Sequence, residues 1–403
     1  MPDPNPSADT PVSTSKGRTV STPRRVARRR TTRLAGILAV ATALVVSTVA
    51  CGQEGGGKDE QARELLPPSE VDTSNGLVID GELVADKELW EAAQGQVVKL
   101  YSGTGKEAED LTAARFAQET GLDIELTRLP TNKLAERVLS EQGAGKLGAD
   151  IARVTDPRVA REFSEQGVFV PYTTPFDQLL REQNTGVRDT YLNCYYFVNA
   201  MGYNDAIIEE DQPTQWEDLV DPKYAGKLGV VAVTTGGTLN ALAHFQISTL
   251  GREFLEQQGR QNPRIFDSTS TEVDALARGE ISVASLSFNN AFAAELAGAP
   301  LELVIPDKGV SASENLMGMT ANGLQNPAAQ VFMNWTMSKS GQSFAAAQGF
   351  VPARTDMEPV KAGGKYQLPQ ADSPQFHLFS EEDYEKYAAR DEEWWKQAFD
   401  YMG

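Results

Sequence analysis

The stretch GVVAVTTGGTLNAL (229–242) decides how the chain is read. Val230, Val231 and Val233 form the kind of short β-branched run that makes a buried strand, and LNALAHFQISTL (239–250) after it reads as an apolar helix. Thr234, Thr235, Gly236, Gly237 and Thr238 stand at the handover. The first N–H groups of a helix have no partner within it and carry the positive end of its dipole. Hydroxyls and glycines at that point either cap the helix or leave room for an anion.

Upstream the same order repeats. VVKLY (97–101) reads as a strand, SGTGKE (102–107) as a turn and AEDLTAARFAQETG (108–121) as a helix ended by glycine. LDIELTRL (122–129), NKLAERVLSEQGA (132–144) and ADIARV (149–154) continue as strand, helix and strand. YYFVNAMGYN (195–204) is a further strand, and PRIF (263–266), ISVASL (281–286) and LELVIP (301–306) extend a second α/β unit. This alternation predicts an α/β fold with a mostly parallel sheet, its ligand beyond the carboxyl ends of the strands. Those ends share one chemistry: Ser102, Gly103 and Thr104; Thr234 to Thr238; Ser268, Thr269 and Ser270, with Glu272 suited to a capping box; and Ser287, Asn289 and Asn290. Several such turns on two α/β units can converge on one crevice, so the opening stretch is expected to cap its helix and also touch a ligand.

The amino-terminal region reads as an export signal. RRVARRR (24–30) precedes LAGILAVATALVVSTVA (34–50), and Cys51 follows at once. TVAC (48–51) resembles a bacterial lipobox with Thr48 where leucine is commoner, which implies a lipid on Cys51 and a mature chain held at the outer face of the cytoplasmic membrane. An uncleaved anchor helix is the alternative. Residues 52–76 are rich in Gly, Pro and charge and read as a flexible tether, and residues 77–96 as a small hairpin and helix.

Of 37 Lys/Arg and 56 Asp/Glu, eight and two fall within residues 1–50, which leaves 29 against 54 in the remainder, a net charge of −25. That balance excludes nucleic acid as a partner. With Cys51 lipidated, Cys194 stands alone, and two histidines, His244 and His377, make a zinc site improbable.

YSGTGKEAEDLTAARFAQETGLDIE (101–125), GADIARVTDPRVAREFSEQGVFVPY (148–172), QWEDLVDPKYAGKLGV (215–230), STEVDALARGEISVA (270–284) and NPAAQVFMNWTMSKSGQSFAAAQGFVPAR (326–354) together resemble an extracellular solute-binding protein of an ATP-binding-cassette importer. The branch it resembles includes the ferric-iron-binding proteins and relatives for phosphonate, thiamine and sugar-phosphate-like ligands. The resemblance implies a two-lobed, hinged periplasmic-binding-protein-like fold, with lobe one at 97–200 plus 311–355 and lobe two at 204–310 plus 356–403. It also implies a monomer that takes a small-molecule solute, needs no cofactor and delivers its cargo to a membrane permease. A ferric-iron receptor and a non-transport sensor or scaffold of the same fold are the alternatives.

Iron-binding members carry a histidine in the first turn, a carboxylate after the third strand and a tyrosine doublet. Here Gly105 stands at the first position, Asp156 or Thr155 near the second and Asn289–Asn290 at the third. Phenolates hold ferric iron in such sites, so iron is not expected. Asn199 stands near where relatives carry a basic residue, and Lys106 is the one cation in the loops considered, which favours a polar, singly charged or zwitterionic ligand. Tyr195–Tyr196 read as core and cleft wall. The chain has no G-x-S-x-G, H-E-x-x-H or Walker motif, so no enzyme is expected. The tail at 381–403 reads as an amphipathic helix packed on the second lobe.

Overall fold

A computed structural model describes residues 64–402 apart from 181–185 and 187–188. The export signal, Cys51 and the first part of the tether lie outside the described residues. The first strands, β1 (Val71–Asp72), β2 (Leu77–Ile79) and β3 (Glu82–Ala85), form a small antiparallel sheet that leads into α1 (Lys87–Ala93). The tether is docked earlier than its composition predicts: Arg115 donates to the carbonyls of Leu66 and Pro67, and Leu65 and Leu66 pack with Leu111 and Phe344.

The first α/β unit follows as β4 (Val97–Ser102), α2 (Lys106–Thr120), β5 (Asp123–Arg128), α3 (Thr131–Gly143), β6 (Ile151–Val154) and α4 (Pro157–Glu165). Gly121 ends α2 at φ 70°, a left-handed conformation that glycine adopts without strain. The long strand β7 (Tyr191–Asn204) then leads into the second unit: β8 (Leu228–Val231), α5 (Gly237–Phe245), α6 (Arg252–Arg260), β9 (Arg264–Phe266), α7 (Thr269–Ala277), β10 (Val283–Ser287), α8 (Phe288–Leu296) and β11 (Leu301–Val304). The return strand β12 (Val310–Met319) is followed by α9 (Pro327–Met337), α10 (Lys339–Ala347), β13 (Val351–Pro352), β14 (Phe376–Leu378) and α11 (Glu381–Ala398).

The main sheet runs β5-β4-β6-β12-β7-β10-β8-β9, with β11 and β13 on β7 and β14 on β12. Its two flanks are parallel, as the alternation predicts, but its centre is antiparallel, because β7 and β12 traverse the sheet in opposite senses. β12 pairs with β6 only from Leu316 to Met319, whereas β7 takes up β10 from Asn199 onward. Between those points β7 and β12 pair with each other, and their register slips at Asn315/Leu316. Each half has its own aromatic centre: Phe116 edge-on to Phe332 and Trp335 at 5.1 and 5.3 Å in the first, and Trp216 against Phe245 at 5.3 Å in the second.

The tail helix α11 packs on α5 and α6, burying Trp395. His244 is stacked between Phe379 and Tyr387, and its Nδ1 lies 2.7 Å from the buried Asp391 carboxylate. The first turn of α11 also reaches the other half: Arg161 of α4 donates to Glu381 and Glu385, and the Tyr384 hydroxyl donates to Asp156 at 3.3 Å. His377 sits on β14, its Nε2 2.9 Å from the Lys308 carbonyl oxygen.

Glu314 of β12 is buried near Glu381, and burial together with that neighbouring charge pushes its carboxyl up to about 8. A carboxyl held protonated in the fold loses stability as pH rises from its ordinary value of 4.5 towards 8, because the unfolded chain releases the proton first. Each unit of such a shift is worth about 1.4 kcal/mol. Glu314→Gln is therefore expected to raise the thermal midpoint at pH 8.5 by several degrees and to flatten its fall between pH 5 and 8. An unchanged pH profile would show that Glu314 ionises as it does in water.

Candidate functional site

Both parallel flanks aim the carboxyl ends of their strands at the centre of the molecule, so the helices that follow begin there. Gly105, Pro130, Gly236, Ser268 and Ser287, the residues preceding the first turns of α2, α3, α5, α7 and α8, all line one cavity of about 220 Å³. Only Ser268 caps its own helix, accepting from the Thr271 N–H at 3.2 Å. The other four helix starts receive no side-chain cap.

Ten of the sixteen residues singled out in the sequence line this cavity. Gly103 and Thr104 come from the first turn, Thr235, Gly236 and Thr238 from the second, Ser268, Thr269 and Ser270 from the third, and Ser287 and Asn290 from the fourth. The other six lie off its wall. Ser102 is buried beneath the first turn, where its hydroxyl donates to Glu109 at 2.5 Å. Asp156 caps α4 and pairs with Arg158 at 2.9 Å, leaving its neighbour Thr155 on the cavity wall. Asn199 donates to the Thr238 carbonyl and the Ser311 hydroxyl, both at 2.9 Å, and so holds the second turn from behind. Thr234 is exposed outside the wall. Asn289 is buried between Ser287 and Asn290, accepting from the first at 2.8 Å and donating to the second at 3.1 Å.

Gly237 has a different task. A Cβ at this position would lie 2.3 Å from the Thr155 carbonyl oxygen, so glycine alone lets α5 meet the loop after β6. Across the cavity, a Cβ on Gly105 would lie 2.9 Å from Asn290 Oδ1. The two halves thus approach each other at the cavity through Gly237 and Gly105.

Thr155, the neighbour weighed beside Asp156, lines the cavity, as do Arg128, Thr131, Phe197 and Asp267, which were not singled out in the sequence. Arg128 changes the charge argument. It is the last residue of β5, and its Nε donates to the Thr104 carbonyl at 3.1 Å. Counting only the turns gave Lys106 as the sole cation, but Lys106 is engaged by Asp110 at 2.6 Å. A tally that included the final residue of each strand would have found Arg128. Among the described residues, Arg128 and Asp267 are the ionisable side chains of the wall.

Glu272 does not complete a capping box. It lies on the buried face of α7 with neither carboxylate oxygen hydrogen-bonded, and burial raises its pKa well above the usual carboxyl range. Tyr195 reaches inward to Arg153 at 3.1 Å, and Tyr196 packs edge-on to Phe376 at 5.2 Å. Among the described residues no three His, Cys, Asp or Glu side chains gather as a metal cluster, and no helix is long and apolar enough to cross a membrane.

A cavity between two α/β halves joined by crossing strands is the architecture of a two-lobed periplasmic binding protein, and known folds bear this out. The substrate binding protein of an ABC transporter from Agrobacterium tumefaciens superposes with a TM-score of 0.64 at 15% identity, over 76% of this chain and 96% of that one. Iron-bound HitA from Pseudomonas aeruginosa gives 0.58 at 19% identity over 75% and 99%. AfuA from Actinobacillus pleuropneumoniae, with exogenous fructose-6-phosphate bound, gives 0.56 at 19% identity over 76% and 97%. Residues 112–372 match the bacterial extracellular solute-binding protein family, and the chain belongs to that family. It is a bacterial extracellular solute-binding protein, a class that binds its substrate.

Adding one methyl group at Gly237 tests whether the halves must meet. Gly237→Ala is expected to hold them apart and enlarge the radius of gyration in small-angle scattering. The folding stability should fall by no more than an overpacked contact costs, about 1–3 kcal/mol. An unchanged radius would mean that the loop after β6 yields instead.

Proposed function

We propose that this protein captures a small, oxygen-rich monoanion in the cavity between its lobes and hands it to a membrane permease. The observation that carries the reading is the convergence of five helix starts, four of them without a side-chain cap, with the Arg128 guanidinium around about 220 Å³. Uncapped helix starts offer N–H donors and the positive end of a dipole, and a guanidinium anchored through Nε can present its remaining N–H groups to a carboxylate, phosphate or phosphonate. Serine and threonine hydroxyls supply further donors and acceptors, as a polyol-bearing head group requires.

One guanidinium faced by one carboxylate, Asp267, favours a single negative charge over a trianion. Iron-bound HitA and the fructose-6-phosphate complex of AfuA show two cargoes carried on this fold. The donor set here resembles what a phosphorylated or carboxylated solute needs, because the wall contains no phenol or imidazole to hold ferric iron. Ligand contacts from both lobes would favour the closed arrangement and drive capture as a population shift. We further assign Cys51 as the lipid-bearing residue that tethers a monomeric receptor to the outer face of the cytoplasmic membrane. Labelling with a fatty acid should mark the wild-type chain and not Cys51→Ser.

A thermal-shift panel of inorganic phosphate, methylphosphonate, glycerol phosphate, glycerol and ferric citrate tests the cargo class, since any ligand of the native state raises the midpoint by mass action. The phosphate-type anions are expected to stabilise. Arg128→Gln should weaken their binding about 10- to 100-fold, the range for loss of charge-assisted hydrogen bonds. Stabilisation by ferric citrate or glycerol alone, or an Arg128→Gln variant with wild-type affinity, would overturn the reading.

A further inference from the structure

The groups behind the first turn connect the cavity wall to the crossing strands. Thr104 lines the cavity, yet it is itself almost wholly buried, and its turn is held from both crossing strands. Asn315 of β12 donates its Nδ2–H to Thr104 Oγ1 at 3.0 Å, and Tyr195 of β7 reaches the same turn through Arg153. Beneath them a buried network fixes the turn. Ser102 donates to Glu109 at 2.5 Å and accepts from the Thr104 N–H at 3.0 Å, while Arg153 donates to both Glu109 oxygens at 3.0 Å and to the Tyr195 hydroxyl at 3.1 Å. The Gly103 N–H donates to the Arg153 carbonyl at 2.9 Å, which closes the circuit.

Asn315 also occupies the point where β12 changes partners. The register with β7 slips between Asn315 and Leu316, and pairing with β6 begins at Leu316. The Asn315 N–H donates to Asn193 Oδ1 at 2.9 Å, but Asn315 Oδ1 and Asn193 Nδ2, both on fully buried residues, have no partner. An acceptor and a donor left unpaired at a β-bulge, on facing strands, mark a place where a second hydrogen-bonding arrangement is within reach.

We propose that Asn315 and Tyr195 are positioning residues for solute capture: by holding the first turn against both crossing strands, Asn315 through the Thr104 hydroxyl and Tyr195 through Arg153, they transmit occupancy of the cavity to the bulge where β12 leaves the first lobe. The inference rests on the reading of this cavity as the solute site. Neither residue lines the cavity, so Asn315 acts through Thr104 and Tyr195 through Arg153. A solute that immobilises the first turn immobilises the Asn315 carboxamide, and with it one arrangement of the bulge. Glu109 and Arg153 keep the turn and the Tyr195 phenol in fixed relation as the strands bend.

Hydrogen–deuterium exchange on the full chain, with inorganic phosphate as the probe, tests this. In the wild type, saturating phosphate should slow exchange at least fivefold both in residues 102–106 and in residues 311–316. In Asn315→Ala, and in Tyr195→Phe, which keeps the ring packed on Phe350, the turn should still be slowed. The slowing of 311–316 should shrink at least threefold, while phosphate affinity by calorimetry stays within tenfold. Wild-type slowing of 311–316 in both variants would overturn the proposal.

A second arm needs no ligand. Thr104→Val and Asn315→Ala should each speed exchange at 311–316, and the double variant should match the faster single, because both remove one contact. Multiplicative effects would overturn the coupling. Failure of phosphate to protect residues 102–106 in the wild type would instead sink the monoanion reading, and the ligand-free arm would still decide the coupling.

Discussion

The pairing of β7 with β12 is the constraint on which everything else hangs. Both strands are buried along their whole length, and they are bonded to each other antiparallel from Tyr191 to Asn199 and from Ser311 to Gly318. A buried strand must satisfy every N–H and C=O in its ladder, so two such strands cannot move apart without a large cost. They can still twist and bend where the ladder is irregular, and Asn315/Leu316 is that place. The two halves are therefore fixed in identity and in which faces they present, while their relative angle remains adjustable.

The cavity is a consequence of that arrangement. Parallel strands on each flank point their carboxyl ends to the centre, and a right-handed crossover places the next helix start there. Small and hydroxylated residues at those starts serve two needs together. Gly237 and Gly105 allow backbone from one half to approach the other, and the hydroxyls line the space left between. Charge enters sparingly, through Arg128 and Asp267. The acidity of the chain as a whole lies elsewhere, much of it on surface helices such as α11, whose first turn carries Glu381, Glu382 and Asp383.

That tail helix has a larger role than its amphipathic pattern suggested. Its second half is built into the core of the second unit through Trp395 and the His244–Asp391 pair. Its first turn is ion-paired to α4 through Arg161. The helix periodicity announced an apolar face, but a face for two partners looks in sequence like a face for one. The same first turn brings Glu381 near the buried Glu314, a like-charge approach between residues 67 positions apart.

Local chemistry was legible in the sequence where it depends on near neighbours. The strand, turn and helix at 228–245, the glycine that ends α2 and the recurring hydroxyl turns all follow from backbone sterics and hydrogen-bond demand within a few residues. So did ten of the residues that line the cavity, because helix starts after parallel strands share one destination. Only the tertiary structure separated Thr155 from Asp156 and Thr104 from Ser102, since neighbouring residues on one turn face opposite ways and the packing behind them decides which faces the cavity. Arg128 and Asp267 entered the site for the same reason: each stands beside or two residues from another wall residue, and only packing decides which side chains of such a stretch face the cavity. The sequence by itself determined the alternation of elements and the chemistry of their ends. The antiparallel centre of the sheet, the bulge at Asn315 and the meeting of the halves at Gly237 were decided by contacts between residues that no local rule relates.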